Sequence, residues 1–145
     1  MAVGASAAAA KTTTIHLFSK DVYSRISDAN GHPQSGKNFM PKPGDRFSFA
    51  ANDFLGNHKH HGNRQVGSDH VVCIIQSNGT GLCDGTIAIG GSMILGDDFV
   101  LDFNSNAPIT LKITGGTGRY RHARGTVVAK STSQNTTDLT IRVTT

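Results

Sequence analysis

From Thr12 onward the chain is written in short alternating runs of apolar and polar residues, with turn-forming residues between them. In "TTTIHLFSKDVYS" Ile15 and Leu17 fall on one side of an extended segment, and Thr14, His16 and Phe18 on the other. "DRFSFAANDFL" puts Phe47 and Phe49 on a common face, and "APITLKIT" does the same for Ile109, Leu111 and Ile113. "TDLTIRVT" aligns Leu139, Ile141 and Val143. "DHVVCIIQ" and "LCDGTIAIGG" flank the turn signal "QSNGTG" and read as a hairpin. "SMILGDDFVLDF" is a strand interrupted at Gly96, where a bulge or corner is expected. "GTVVAKSTS" is a further β-branched strand. Residues 28–44, with three of the four prolines, read as a long loop, and "GNHKHHGNRQVGS" reads as a polar, histidine-rich one. About eight short strands and no helical period predict an all-β antiparallel barrel or sandwich. An eight-stranded barrel is just wide enough to be filled by side chains or to hold one small ligand.

Composition supports that reading. Of 145 residues only 37% are hydrophobic, and 17 are glycine, which suits strands joined by tight turns in a single domain. No run reaches the roughly 18 apolar residues of a membrane span, so no membrane partner is expected. The net charge of +4 is scattered along the chain and only weakly suggests anionic partners. Residues 1–11, beginning "MAVGASAAAA", read as the remnant of an export signal behind a start methionine, or else as a disordered Ala-rich tail. Residues 12–145 are then one barrel domain, secreted or periplasmic on the first reading and cytoplasmic as the alternative.

Folding the hairpin about Asn78 sets Cys73 opposite Cys83, each five residues from the tip. In an exported protein the pair can close as a disulfide; in a cytosolic one they are two buried thiols. "VVCII" is apolar on both faces, so its outer face needs cover, either from a second copy of the chain or from the second sheet of a sandwich.

"TGGTGRYRHARG" (114–125) invites a phosphate-binding reading, but it lacks a Lys-Ser/Thr pair and is followed by a β-branched strand rather than a helix. Nucleic-acid binding would want stacking aromatics, and only Tyr120 is present. The stretch is therefore read as a tight connection with glycines at positive φ, and no nucleic-acid partner is expected. His58, His60 and His61, with His70 nearby, could offer a zinc or copper pair but no third ligand at a defined spacing; a solvated loop is the plainer reading, and no metal is assigned. Asp97, Asp98 and Asp102 read as a solvated rim. There is no nucleophile elbow and no evident Ser-His-Asp set.

Four segments in order, "GDRFSFAAN" (44–52), "VGSDHVVC" (66–73), "LCDGTI" (82–87) and "ITGGTGRYRHARGTV" (113–127), resemble the allene oxide cyclase and dirigent superfamily. The glycine-rich turn followed by the basic-aromatic pair and A-R-G is the most specific, and the resemblance spans roughly residues 13–143. It implies a calycin-type, eight-stranded antiparallel barrel, usually a homo-oligomer (a trimer or a dimer). It also implies a pocket for a small hydrophobic molecule and no cofactor. Such barrels steer a reactive intermediate toward one product by shape and a few polar groups.

The plant cyclases carry an inward Glu and Asn on the first strand. Those positions fall on His16 and Phe18 here, a departure that points away from plant-type allene oxide chemistry. Asn52 resembles the cyclases' water-positioning Asn with a one-residue gap, and Cys73 matches their barrel cysteine. The expected site is thus His16, Asn52 and Cys73 as catalytic groups, with Phe18, Phe47 and Phe49 as walls and Tyr23 or Asp21 at the rim. His16 is the acid/base candidate because imidazole changes charge near neutral pH; a structural histidine hydrogen-bonded within the barrel is the other reading. The function expected is a cofactor-independent cyclase or isomerase. The alternatives are a non-catalytic dirigent-like or carrier barrel, or an exported interaction module.

Overall fold

A computed structural model describes residue 4, residues 9–34 and residues 40–145; most of the N-terminal tail and part of the 28–44 loop lie outside these. The chain forms β1 (Thr12–Ser27), β2 (Pro33–Gln34), β3 (Arg46–Asn57), β4 (His60–Ile75), β5 (Gly81–Ile89), β6 (Ser92–Leu101), β7 (Ile109–Ile113), β8 (Gly115–Gly116), β9 (Arg124–Ser131) and β10 (Thr136–Thr144). A single 3-10 turn, Gly118–Tyr120, precedes β9. Every pairing is antiparallel.

The sheet runs β7-β9-β10-β1-β3-β4-β5-β6-β8, and its two ends, β7 and β8, are neighbours in the chain separated only by Thr114. The sheet therefore curls until its edges meet, giving a nearly closed barrel. Thr114 donates its backbone N–H to the Leu95 carbonyl at 2.8 Å, sealing the seam. Gly96 makes that seam possible: a Cβ there would lie 2.5 Å from Leu111 Cδ1. Eight of these strands have five residues or more, matching the expected staves; β2 and β8 are two-residue additions.

One half of the lumen is packed apolar. Leu17, Leu139, Ile141, Val143, Val127, Ile113, Ile94 and Ile87 are buried together with Tyr120 and Ala123. The 114–125 stretch is therefore structural as well as polar, since Tyr120 drops into this core while the chain turns into β9. Gly125 has φ +138, and a Cβ there would meet the Arg142 carbonyl oxygen at 1.9 Å. Only glycine lets β9 approach β10 so closely.

Two segments differ from the expectation. The histidine-rich "loop" is the tip and return strand of a long β3–β4 hairpin, turning at 57–60. Asn57 Oδ1 accepts the backbone N–H groups of Lys59 and His60, and Gly56 takes φ +114. A hairpin that is polar on both faces has no alternation to betray it. At Gly96 the expected irregularity falls just after the glycine: the register against β5 shifts, and Asp98 adopts φ 57 with its N–H bonded to Asp84 Oδ1.

Candidate functional site

Strand parity decides which side chains see the lumen. On β1, Leu17 and Ser19 are buried at 0% and 3% exposure, whereas His16 between Ile15 and Leu17 is exposed. On β3 the inward series is Phe47, Phe49, Ala51 and Asp53, an unbroken run of alternate residues. On β4 it is Asp69, Val71 and Cys73, aligned with Ala51, Phe49 and Phe47 respectively.

The expected site residues therefore divide. Phe47 and Phe49 line the lumen, stacked on each other at 5.9 Å, and Phe47 stacks on Phe103 at 4.7 Å. Asp21 shares the inward register, opposite the buried Ala51, and is still exposed, so the lumen is open at its level. Cys73 is inside too, but it is joined to Cys83 in a disulfide and carries no thiol for chemistry.

His16, Phe18, Asn52 and Tyr23 belong to the outer face instead. His16 lies 3.5 Å from the Thr140 hydroxyl, and Asn52 Oδ1 accepts from Gln65. Phe18 is buried outside the barrel because His61 from the β3–β4 hairpin stacks on it at 4.2 Å. A bulge between Asp21 and Tyr23 reverses the parity of β1, which turns Tyr23 outward beside Arg25 and His70.

In place of His16 and Asn52 the lumen holds three carboxyl groups, Asp21, Asp53 and Asp69, with Ser19 among them. Asp53 is completely buried, and neither of its oxygens has a conventional donor. The group it faces is the Asp69 carboxylate, itself held by the Ser19 hydroxyl, which donates to Oδ2 at 2.7 Å. As two anions these acids would only repel. With one proton between them the contact becomes a hydrogen bond. Burial, then the hydrogen bond and charge of Asp69, push Asp53 up to about 9 against a small opposing effect of Ser19, so it is a neutral acid at pH 7. Asp21 is raised as well, first by burial and then by the charge of Asp69.

Local sequence explains the arrangement. Gly67 is the cross-strand partner of Asp53 and has no side chain; a Cβ there would sit 2.3 Å from the Ala88 carbonyl oxygen. Gly81 and Gly85 similarly leave room for Phe103 and Phe99. The result is an aromatic end of the barrel (Phe47, Phe49, Phe99 and Phe103) beside the disulfide, with Asp53 and Asp69 further along β3 and β4.

Two cavities stand out elsewhere. One, of about 370 Å³, is an open groove along residues 65–68 and 88–91. The other, of about 270 Å³, lies on the outer face and includes His16. Neither is lined by Asp53 or Asp69. The histidine cluster is dispersed: His58 pairs with Asp138, and His61 covers Phe18. Among the described residues no group of three or more His, Cys, Asp or Glu is placed to hold a metal ion.

No protein-family model matches the chain, and no curated protein matches it by sequence. Solved structures do match. A pyocyanin demethylase superposes with a TM-score of 0.67 at 24% identity, over 90% of this chain and 99% of that one. A pterocarpan synthase dirigent protein superposes at 0.64 with 19% identity, over 93% and 89%. An exo-specific intermolecular Diels-Alderase gives 0.67 at 11% identity, over 95% and 100%. The chain thus has the allene oxide cyclase/dirigent-like barrel fold.

Proposed function

Starting from that fold, we propose that the barrel binds a small, apolar, reactive molecule at its aromatic end and steers its ring closure or rearrangement. The observation that carries this reading is the buried, proton-holding acid Asp53 on the same inward face of β3 as the stacked Phe47 and Phe49. Phenylalanine walls restrict the conformers a flexible intermediate can adopt, which is where part of the rate and of the product selection would arise. A carboxylic acid kept neutral at pH 7 by its surroundings can donate a hydrogen bond to an oxygen on which charge develops, in a site where little water competes. Asp69, positioned by Ser19, is the conjugate partner that takes up or returns the proton. Phe103, on the β6–β7 connection and 37% exposed, is the group a ligand would displace on the way in.

That a pyocyanin demethylase, a pterocarpan synthase dirigent protein and an intermolecular Diels-Alderase share this fold supports the substrate class. The second reading is a barrel that orients its ligand without exchanging protons, which the same aromatic walls would suit.

The neutral fluorescent probe N-phenyl-1-naphthylamine tests binding. Saturable binding weakened by about tenfold in Phe49→Ala is expected, the loss of one buried aromatic contact. No saturable binding, or binding indifferent to Phe49, refutes the reading. Once a substrate is in hand, Asp53→Asn separates the two versions. Retained binding with lost turnover or scrambled products supports the acid; unchanged products support orientation alone.

A further inference from the structure

The basic residues are scattered along the sequence, but the fold gathers several of them at one end of the barrel. At that end β1 begins, β10 finishes and β9 begins: Thr12 pairs with Thr144, and Thr144 with Arg124. β5 runs from the disulfide at Cys83 to Ile89 here, so this end lies away from the aromatic one. Lys11 holds Thr145 through two backbone hydrogen bonds, and the 117–123 connection reaches β6, where the Arg119 N–H donates to Ser92 Oγ. Residues 11–17, 88–94, 115–127 and 141–145 build this end and contain no aspartate or glutamate. They do contain Lys11, Arg119, Arg121, Arg124 and Arg142, all exposed.

The acids nearby do not balance this group. Among the described residues no carboxylate lies within ion-pair distance of any of the five cations. Asp138 faces Lys130 across β9 and β10, and that couple is neutral as a unit. The surface acid closest in register is Asp97, which accepts from Thr114 Oγ1 beside Lys112 and offsets that lysine. Asp53 and Asp69 point into the lumen. Residues 1–3, 5–8 and 35–39, outside the described set, include no acid. Arg142 lies two residues from the cross-strand partner of Arg124, a diagonal of roughly 7–8 Å on which like charges repel.

We propose that this end of the barrel docks peripherally on an anionic lipid bilayer, with the aromatic end facing away. Neither cavity is lined by any of the five cations, so they form no groove for a polymer chain. Tyr120, the one aromatic in these segments, is 5% exposed and offers no platform for stacking bases. Cations carried on several strands round a rim suit a plane of headgroups, whose phosphates and carboxylates accept paired bonds from guanidinium. With no exposed aromatic to insert, the contact is electrostatic and reversed by salt. The expectation of no membrane partner rested on the lack of a spanning run, which peripheral docking does not need.

The test co-sediments the whole chain with vesicles of phosphatidylcholine alone, or with about one third phosphatidylserine, in about 0.1 M salt. Binding is expected to the mixed vesicles only, and should vanish in about 1 M salt. Each cation at an anionic surface contributes about fivefold, so Arg121→Gln with Arg124→Gln should weaken binding about 25-fold. Lys42→Gln with Arg46→Gln removes the same charge at the aromatic end and should change binding by less than about twofold. Arg121→Lys with Arg124→Lys should bind as the parent does. Equal binding to both vesicles, equal losses in the two Gln pairs, or no vesicle binding would each overturn the proposal. Retention on heparin without vesicle binding would also overturn it, assigning the cations to a polyanionic chain. None of these outcomes depends on the lumen binding anything.

Discussion

Replacing Asp53 with Asn should flatten the pH dependence of stability. In the folded chain Asp53 keeps its proton up to about 9, whereas in the unfolded chain an aspartate ionises near its ordinary value of 3.8. Between those limits the folded state binds one proton more than the unfolded state. Stability from the neutral acid is therefore complete below the unfolded value and is lost as pH rises toward the folded one. One proton corresponds to about 1.4 kcal/mol per pH unit, so the window from pH 5 to 8 spans roughly 4 kcal/mol. Asparagine has nearly the same shape, does not titrate, and can still donate to Asp69. Contributions from all other groups are common to both proteins and cancel in the comparison. Because Asp53 and Asp69 share the proton, the midpoint belongs to the pair, but the number of protons in the window does not change. The assay is urea unfolding at pH 5, 6, 7 and 8, followed by far-ultraviolet circular dichroism since the chain has no tryptophan. The stability of Asp53→Asn relative to the parent should climb steadily with pH. Parallel curves, with the difference changing by less than about 0.5 kcal/mol across the window, would refute the idea that a proton is held between these acids.

Other consequences can be checked more briefly. Opening the Cys73–Cys83 bridge, which closes a loop with a sequence separation of 10, should cost about 2–3 kcal/mol, read as a lowered urea midpoint in Cys73→Ala/Cys83→Ala. Gly125→Ala forces a Cβ into the Arg142 carbonyl at a φ suited only to glycine, and should cost about 3 kcal/mol or more, measured as a fall in Tm. The outward side chains Val72, Ile74, Leu82 and Val100 are exposed and adjacent in register across β4, β5 and β6. If a second copy covers them, sedimentation will give a mass well above the 15.3 kDa monomer, and Ile74→Lys will reduce it toward that value. A monomer at all concentrations ends that proposal.

The barrel was legible because alternation, turn residues and glycine content act locally and agree with one another. The site was only half legible, and the reason is a single residue of parity. Phe47 and Phe49 share one face in the sequence pattern, and two-residue alternation from them leads to Ala51 and Asp53, not to Asn52. The same step back from Cys73 leads through Val71 to Asp69. Both acids thus lie on the alternation that Phe47 and Cys73 define, and Asn52 lies off it. On β1 the choice between the Leu17 face and the His16 face could be made from hydropathy alone, since a leucine between isoleucine and serine outcompetes an imidazole for the dry side. Tyr23 is different. It shares parity with Asp21 in the sequence, and only the bulge at Val22 turns it out, a feature set by pairing with β3 that no window of β1 encodes. The histidine hairpin is hidden for a related reason, because it is polar on both faces and gains its order from contacts distant in sequence. His58 meets a carboxylate 80 residues away, a contact that no local window can show. What local pattern cannot show is therefore contact between segments distant in sequence, which sets both the bulge on β1 and the place of the β3–β4 tip.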